Sequence, residues 1–169
     1  MDAMEAILSR RSIRKYTDQP VDAEVVQKVL RAAMSAPSAG NEQSWQFVVI
    51  NDRNLLTAIP KFHPYAGMLE QASVAILVCG DVRRERHAGY WVQDCSAAMQ
   101  NLLLAAHSLG LGAVWLGIYP DAARVAGMRS LLNLPEPVIP LGLAPLGYPA
   151  ESRAAADRYT ESLIHYNGW

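Results

Sequence analysis

The chain has 169 residues, with 15 Lys and Arg against 16 Asp and Glu for a formal net charge of −1, and 51% of its residues are hydrophobic. That length supports one domain over residues 1–169 with a real core, and a pI near 6.4 argues against the broad basic face of a nucleic-acid binder. No stretch is long, apolar and uncharged enough to span a bilayer, and Met1-Asp2-Ala3-Met4-Glu5 lacks a signal peptide's basic-then-apolar order, so a cytoplasmic protein is expected.

Met1 to Ser9 reads as a short helix capped by Asp2, with Met4, Ile7 and Leu8 at helical spacing. It delivers Arg10-Arg11-Ser12-Ile13-Arg14-Lys15-Tyr16, where four cations and a hydroxyl crowd together. Guanidinium forks and a serine hydroxyl suit phosphate oxygens, although the C-terminal end of a helix repels an anion, so the side chains must carry such a site. The plainer reading is a solvated basic turn. Pro20 and Asp22 announce a second helix with Val25, Val26, Val29, Leu30 and Ala33 on one face and a stop at Pro37. The loop Ala36 to Trp45 then offers small residues that admit a flat ligand close to backbone, and Ser38, Asn41 and Gln43 as donors and acceptors; it reads equally as turn chemistry before a strand from Gln46 to Asn51.

From Asp52 to Gln71 the pattern is irregular, and Phe62 to Leu69 reads either as a pocket cover or as a surface helix broken by proline. Val74 to Cys79 is a continuous run of strand formers and is expected at the sheet centre. Arg83 to Arg86 reads as an exposed turn. Tyr90 to Leu109, closed by Gly110, is a helix apolar nearly all round, which predicts burial nearly all round and hence a second subunit. Asp94 and Gln100 are expected there as satisfied polar groups or caps. Gly110 to Gly117 leaves a helix and opens a strand, the reverse of a dinucleotide-binding loop, so a Rossmann domain is rejected. Gly117 remains a place where backbone can meet a planar ligand. A helix from about Asp121 to Leu132 and a strand from Pro137 to Gly147 follow, with a proline that suggests an edge or a bulge. Residues 150–169, with Arg158, Tyr159, His165, Tyr166 and Trp169, read as an arm wrapped over something, such as a partner subunit.

Side-chain chemistry is sparse. The four histidines are scattered without metal-ligand spacing, there is no P-loop or nucleophile elbow, and Cys79 and Cys95 sit in apolar segments as small hydrophobes. No metal is expected; a protein of this kind leaves the hard step to a cofactor.

Four stretches in order, Arg10 to Tyr16, Ala36 to Phe47, Gly110 to Gly117, and Leu146-Gly147-Tyr148-Pro149-Ala150-Glu151 with Asp157-Arg158-Tyr159, resemble the short form of the nitroreductase family of flavoproteins. The match runs from end to end and leaves no room for another domain. It implies an α+β fold, a mixed and mainly antiparallel sheet flanked by helices, in an intertwined homodimer with FMN at the interface. Arg10, Arg11, Ser12 and Arg14 would then hold the FMN phosphate and ribityl chain together with Arg158. Pro37, Ser38, Ala39 and Asn41 would come from the other protomer, and Leu116 with Gly117 would lie against the isoalloxazine. Tyr65 and Met68 are candidate lid residues.

The activity implied is an NAD(P)H-dependent oxidoreductase in which NADH or NADPH reduces the flavin and leaves before a nitroaromatic or quinone-like acceptor takes its place. The alternatives are a flavin carrier or sensor, a flavin-dependent dehalogenase or dehydrogenase of a dedicated metabolite, or a dimer that has lost the cofactor. The chain departs from the family where Ser44 replaces a usual proline and where Ala154-Ala155-Ala156 stands in place of a frequent lysine, which shifts phosphate binding onto Arg10, Arg11 and Arg14.

Overall fold

Helices α1 (Ala3–Ser9), α2 (Ala23–Met34), α3 (Arg53–Ala58), α4 (Trp91–Ser108) and α5 (Ala122–Leu132) surround strands β1 (Trp45–Ile50), β2 (Val74–Asp81), β3 (Gly112–Ala113), β4 (Leu116–Gly117) and β5 (Val138–Gly147) in a computed structural model of residues 1–169. The sheet order is β1-β2-β5-β3, with β4 also on β5. All four ladders are antiparallel, and the parallel component is a single bridge between Ser12 and Ala113. The fold class is therefore the expected α+β, and the rejection of a Rossmann domain stands.

Strand β2 is buried along its whole length because each face of the sheet is covered. Its alternate residues divide between two cores: Val74, Ile76 and Val78 pack with α2 and α4, while Ala75, Leu77 and Cys79 pack with Leu56, Ile59, Leu69 and Met128. Full burial of each large side chain contributes about 1.5–3 kcal/mol. Strand β5 runs beside β2 at the centre, so the edge position suggested by its prolines is wrong and the bulge is right. Cys79 pairs with Pro140 and Val78 with Gly142, which leaves Leu141 as the extra residue. Pro145 lies where the neighbouring strand is interrupted: Ala113 pairs with Leu146 and Leu116 with Leu143, with Val114 and Trp115 unpaired between them. A residue without an N–H costs the ladder nothing opposite a gap.

The segment after α1 closes the far side of the sheet. Ile13 N–H donates to Ala113 O at 2.9 Å, Thr17 N–H to Tyr148 O at 2.9 Å, and Ala150 N–H to Lys15 O at 2.9 Å. Glycine permits this approach: a Cβ on Gly112 would sit 2.6 Å from Ile13 Cγ2, and one on Gly147 would sit 2.9 Å from the Tyr16 ring.

Three expectations change. Helix α1 is capped by Asp2 as read, through a 2.8 Å bond from Glu5 N–H, but only Ala6 is buried; Met4, Ile7 and Leu8 face outward. The irregular stretch contains α3, capped by Asp52 accepting from Leu55 N–H at 3.1 Å, followed by 3-10 turns. On α4, Asp94 is buried and bonded, whereas Gln100 lies on the exposed side and caps nothing. No helix is long and apolar enough to cross a membrane.

Candidate functional site

The C-terminal end of α1 and the arm meet over a pocket of about 450 Å³, lined by Arg10, Arg11 and Arg158 with Ile7, Leu8 and residues 155–157. The backbone of the arm helps to hold it: Arg11 Nε donates to Ala154 O at 2.9 Å, and its Nη1 donates to Leu8 O and Arg10 O. Arg11 Nη2 is buried with no acceptor. None of Arg10, Arg11, Arg14 and Arg158 forms an ion pair, although Asp157 lies on the pocket wall. Burial first, and then the like charges of Arg11 and Arg158, lower the Arg10 guanidinium from its ordinary value. Concentrated cations without an ion pair give this pocket the chemistry that suits an anion. Ser12 and Arg14 follow on the closing segment without lining the pocket; Arg14 N–H is bonded to Glu151 Oε1 at 2.6 Å and its side chain is exposed.

The loop before β1 is tightly determined. Gly40, Asn41 and Gln43 all have positive φ, a conformation that costs the two non-glycine residues about 1 kcal/mol or more each. Hydrogen bonds over-determine it: Ala39 N–H to Asp94 Oδ1 at 2.9 Å, Gln43 N–H to Ser38 Oγ at 3.0 Å, and Gln43 Nε2 to Asn41 Oδ1 at 3.0 Å. Ser44 is fully buried with its hydroxyl 3.5 Å from Asp94 Oδ2. Pro37 and Asn41 are exposed, and Ser38 and Ala39 half-buried, outside the arginine pocket.

The third part is β4. Leu116 is buried, while Gly117 is exposed, and nothing lies within 4 Å of where a Cβ would stand on it. Ile118 N–H donates to Leu141 O across β5, so the alternate residue Gly117 turns both its N–H and its C=O to the free edge. The carbonyl is held there by His63 Nε2 and by Arg124 Nη1, each at 3.0 Å. Within one chain the arginine pocket, the loop and this edge form three separate stations.

A model of the nitroreductase family matches residues 7–64 and 61–148 of the chain. The chain belongs to the nitroreductase family. A Methanothermobacter thermautotrophicus protein provisionally named NADH dehydrogenase/NAD(P)H nitroreductase is 53% identical over 169 residues, covering 100% of this chain and 88% of its own. The FMN-dependent nitroreductase of Clostridium difficile superposes with a TM-score of 0.91 at 27% identity, covering 98% and 99% of the two chains. A provisionally named nitroreductase of Desulfovibrio desulfuricans, solved with FMN, does so with a TM-score of 0.86 at 32% identity, covering 100% and 99%.

The nitroreductase chain has room and chemistry for the phosphate end of FMN at the arginine pocket, where Arg11 Nη2 lacks an acceptor. Among the residues expected to bind, the fold brings Arg10, Arg11 and Arg158 together and leaves Pro37, Ser38, Ala39, Asn41, Leu116 and Gly117 at the other two stations. Tyr65 is 68% exposed, whereas Met68 packs half-buried against the core beneath it. Sequence reasoning passed over His63, Asp121 and Arg124. His63 is 1% exposed, and Tyr65 N–H donates to its Nδ1 at 3.3 Å, which leaves Nε2 as the protonated nitrogen facing Gly117 O. Burial lowers the His63 pKa, opposed by the Gly117 hydrogen bond, with Arg124 adding a further lowering. Asp121 caps α5 through Arg124 N–H at 3.0 Å and stands 3.4 Å from Arg124 Nε. Their one signal was the spacing from Asp121 to Arg124 at a helix start, which reads as capping alone.

Proposed function

We propose that the chain is an FMN-bound NAD(P)H oxidoreductase that passes electrons to a nitroaromatic or quinone-like acceptor, donor and acceptor using one site in turn. The observation that carries this reading is the arginine pocket, whose cations have no carboxylate ion pair and whose buried Arg11 Nη2 has no acceptor. Arg10, Arg11 and Arg158 neutralise the phosphate, and Ser12 and Arg14 extend the same strip toward the ribityl chain. FMN when bound supplies the two-electron chemistry between nicotinamide and acceptor. Gly117 presents an edge N–H with open space above it, a donor suited to a ring heteroatom. No side chain near that edge is placed as a nucleophile: Cys79 and Cys95 are buried, and burial pushes the Cys79 thiol up to about 12.

The site is completed by a second copy of the chain. Pro37, Ser38, Ala39 and Asn41 lie apart from the arginine pocket of their own chain, which supports their service to a partner's flavin. Residues of the arm support the same reading: Tyr159, Leu163, Tyr166 and Trp169 are 72–104% exposed, and Met4, Ile7 and Leu8 on α1 are exposed as well. The test is the visible spectrum of the purified protein, identification of any released flavin, and NADH or NADPH oxidation with a quinone or nitrofuran. Close to one FMN per chain with turnover is expected. A protein that neither carries nor takes up FMN overturns the reading, and a flavin reduced only by dithionite replaces it with a carrier.

A further inference from the structure

We infer that Arg124, Tyr65 and His63 form the acceptor-recognition face and select a planar acceptor that carries a carboxylate or another oxyanion. This rests on the oxidoreductase reading above and names the chemistry of the acceptor. Three separate parts of the chain converge on the open edge at Gly117. Arg124, with its side chain 22% exposed, has Nε 3.4 Å from Asp121 Oδ2 and Nη1 bonded to Gly117 O at 3.0 Å. Those two contacts fix the plane of the guanidinium and leave Nη2, with both of its N–H groups, uncommitted. The guanidinium carbon lies 5.5 Å from the centroid of the Tyr65 ring. Tyr65 is itself steadied from behind, since His63 accepts from its N–H and meets its ring edge-on at a centroid distance of 6.3 Å. His63, buried and held in one tautomer, is a positioning residue: it anchors both the Gly117 carbonyl and the Tyr65 backbone.

The result is a preorganised cation beside an exposed aromatic ring, both flanking a glycine with open space above it. A neutral acceptor uses only the ring. A planar acceptor with an anionic substituent uses the ring and the free Nη2, and it meets a guanidinium whose ordering cost is already met by Asp121 and Gly117. Met68, half-buried against the core, contributes none of these contacts.

The test compares 4-nitrobenzoate with 4-nitrobenzamide, which share a ring and differ in charge, in the FMN-loaded protein. The wild type is expected to favour the benzoate in kcat/KM. Arg124→Gln is expected to reduce that preference by about tenfold, the worth of one charge-assisted hydrogen bond, and Arg124→Lys is expected to keep part of it. Benzoate binding measured by calorimetry reads the same discrimination without turnover and is expected to weaken in Arg124→Gln. Equal losses for both acceptors, or an unchanged ratio with unchanged benzoate affinity, overturn the inference. A loss confined to NADPH over NADH also overturns it, because the oxyanion read by Arg124 is then on the donor. Absence of turnover with every acceptor overturns the oxidoreductase reading alone, while the calorimetric comparison still decides the role of Arg124.

Discussion

Arg10 sits among like charges in a partly buried pocket, so its positive charge is destabilising until an anion arrives. Arg83 is the natural contrast: it is equally cationic, yet its Nη2 is 2.8 Å from Asp81 Oδ2 and its charge is already answered. Arg10→Ala is therefore expected to weaken FMN binding by about 10- to 100-fold, the span of a charge-assisted contact, and Arg83→Ala to leave it unchanged. Equilibrium titration of released flavin distinguishes them, and equal retention in both variants removes the phosphate from this pocket. His107 belongs to the same neighbourhood. Its Nε2 is 2.7 Å from Ser9 Oγ, and burial first, then Arg10 and Arg11, lower its pKa, with Glu5 opposing them. A histidine whose folded pKa is depressed contributes stability above its unfolded value near 6.5, and that contribution is lost as pH falls through it, because the unfolded chain then binds more protons. His63 is shifted in the same direction. Urea midpoints of the cofactor-free protein should fall from about pH 7 toward pH 5. In His107→Gln the fall should be smaller over the same window; an identical slope in both proteins shows that His107 does not titrate differently on folding.

Elements differ in how openly the sequence declares them. The run Val74 to Cys79 reads as a strand covered on both faces, and its burial is continuous. Helix α4 is long, as read, but burial nearly all round does not hold within one chain, because Gln93, Gln100 and Ser108 are exposed and Val92, Ala97, Leu104 and Ala105 only half-buried. Helix α3 has six residues, too few for periodicity to rise above its polar neighbours, and it depends on the Asp52 cap and on Leu56 in the core. The strands β3 and β4 are two residues each, and what joins them is register on β5 rather than any local preference. The site divides the same way. Arg10 and Arg11 were legible because they are neighbours in the chain, and Arg158 only through the family resemblance, whereas His63 and Arg124 come from distant segments and meet at the Gly117 carbonyl on β4 and at Tyr65. Asp94 shows how a helix sets a loop: from α4 it accepts from Ala39 N–H and is within reach of the Ser44 hydroxyl, in a region where positive φ values make the backbone costly. Asp94→Ala strands those donors in a buried place and should cost about 1–3 kcal/mol in denaturant unfolding. Asp94→Asn keeps one acceptor and should cost less. A loss in Asp94→Ala below a few tenths of a kcal/mol shows that the loop is held from elsewhere.

At the scale of the molecule, apolar surface is unevenly distributed. Both cores are closed, yet the arm carries Tyr159, Leu163 and Trp169 almost fully exposed, and α1 turns Met4, Ile7 and Leu8 outward. Exposed apolar groups on two segments that meet at the arginine pocket are expected where another copy of the chain packs, and under the proposed function this would link assembly to cofactor binding. The link is separable by experiment, because Arg158 and Tyr159 line the pocket while Leu163, Tyr166 and Trp169 lie beyond it along the arm. Leu163→Ser, Tyr166→Ser and Trp169→Ser combined leave every residue of the pocket wall in place. In sedimentation velocity the wild type should run as a two-chain species, and the triple variant should dissociate at concentrations where the wild type does not. Flavin should be lost along with the second chain if, as proposed, Pro37, Ser38, Ala39 and Asn41 complete a partner's site. A triple variant that stays dimeric places the interface elsewhere than the arm. One that becomes monomeric and keeps its flavin with unchanged affinity shows that a single chain suffices, and assigns the loop before β1 a role other than completing a partner's site.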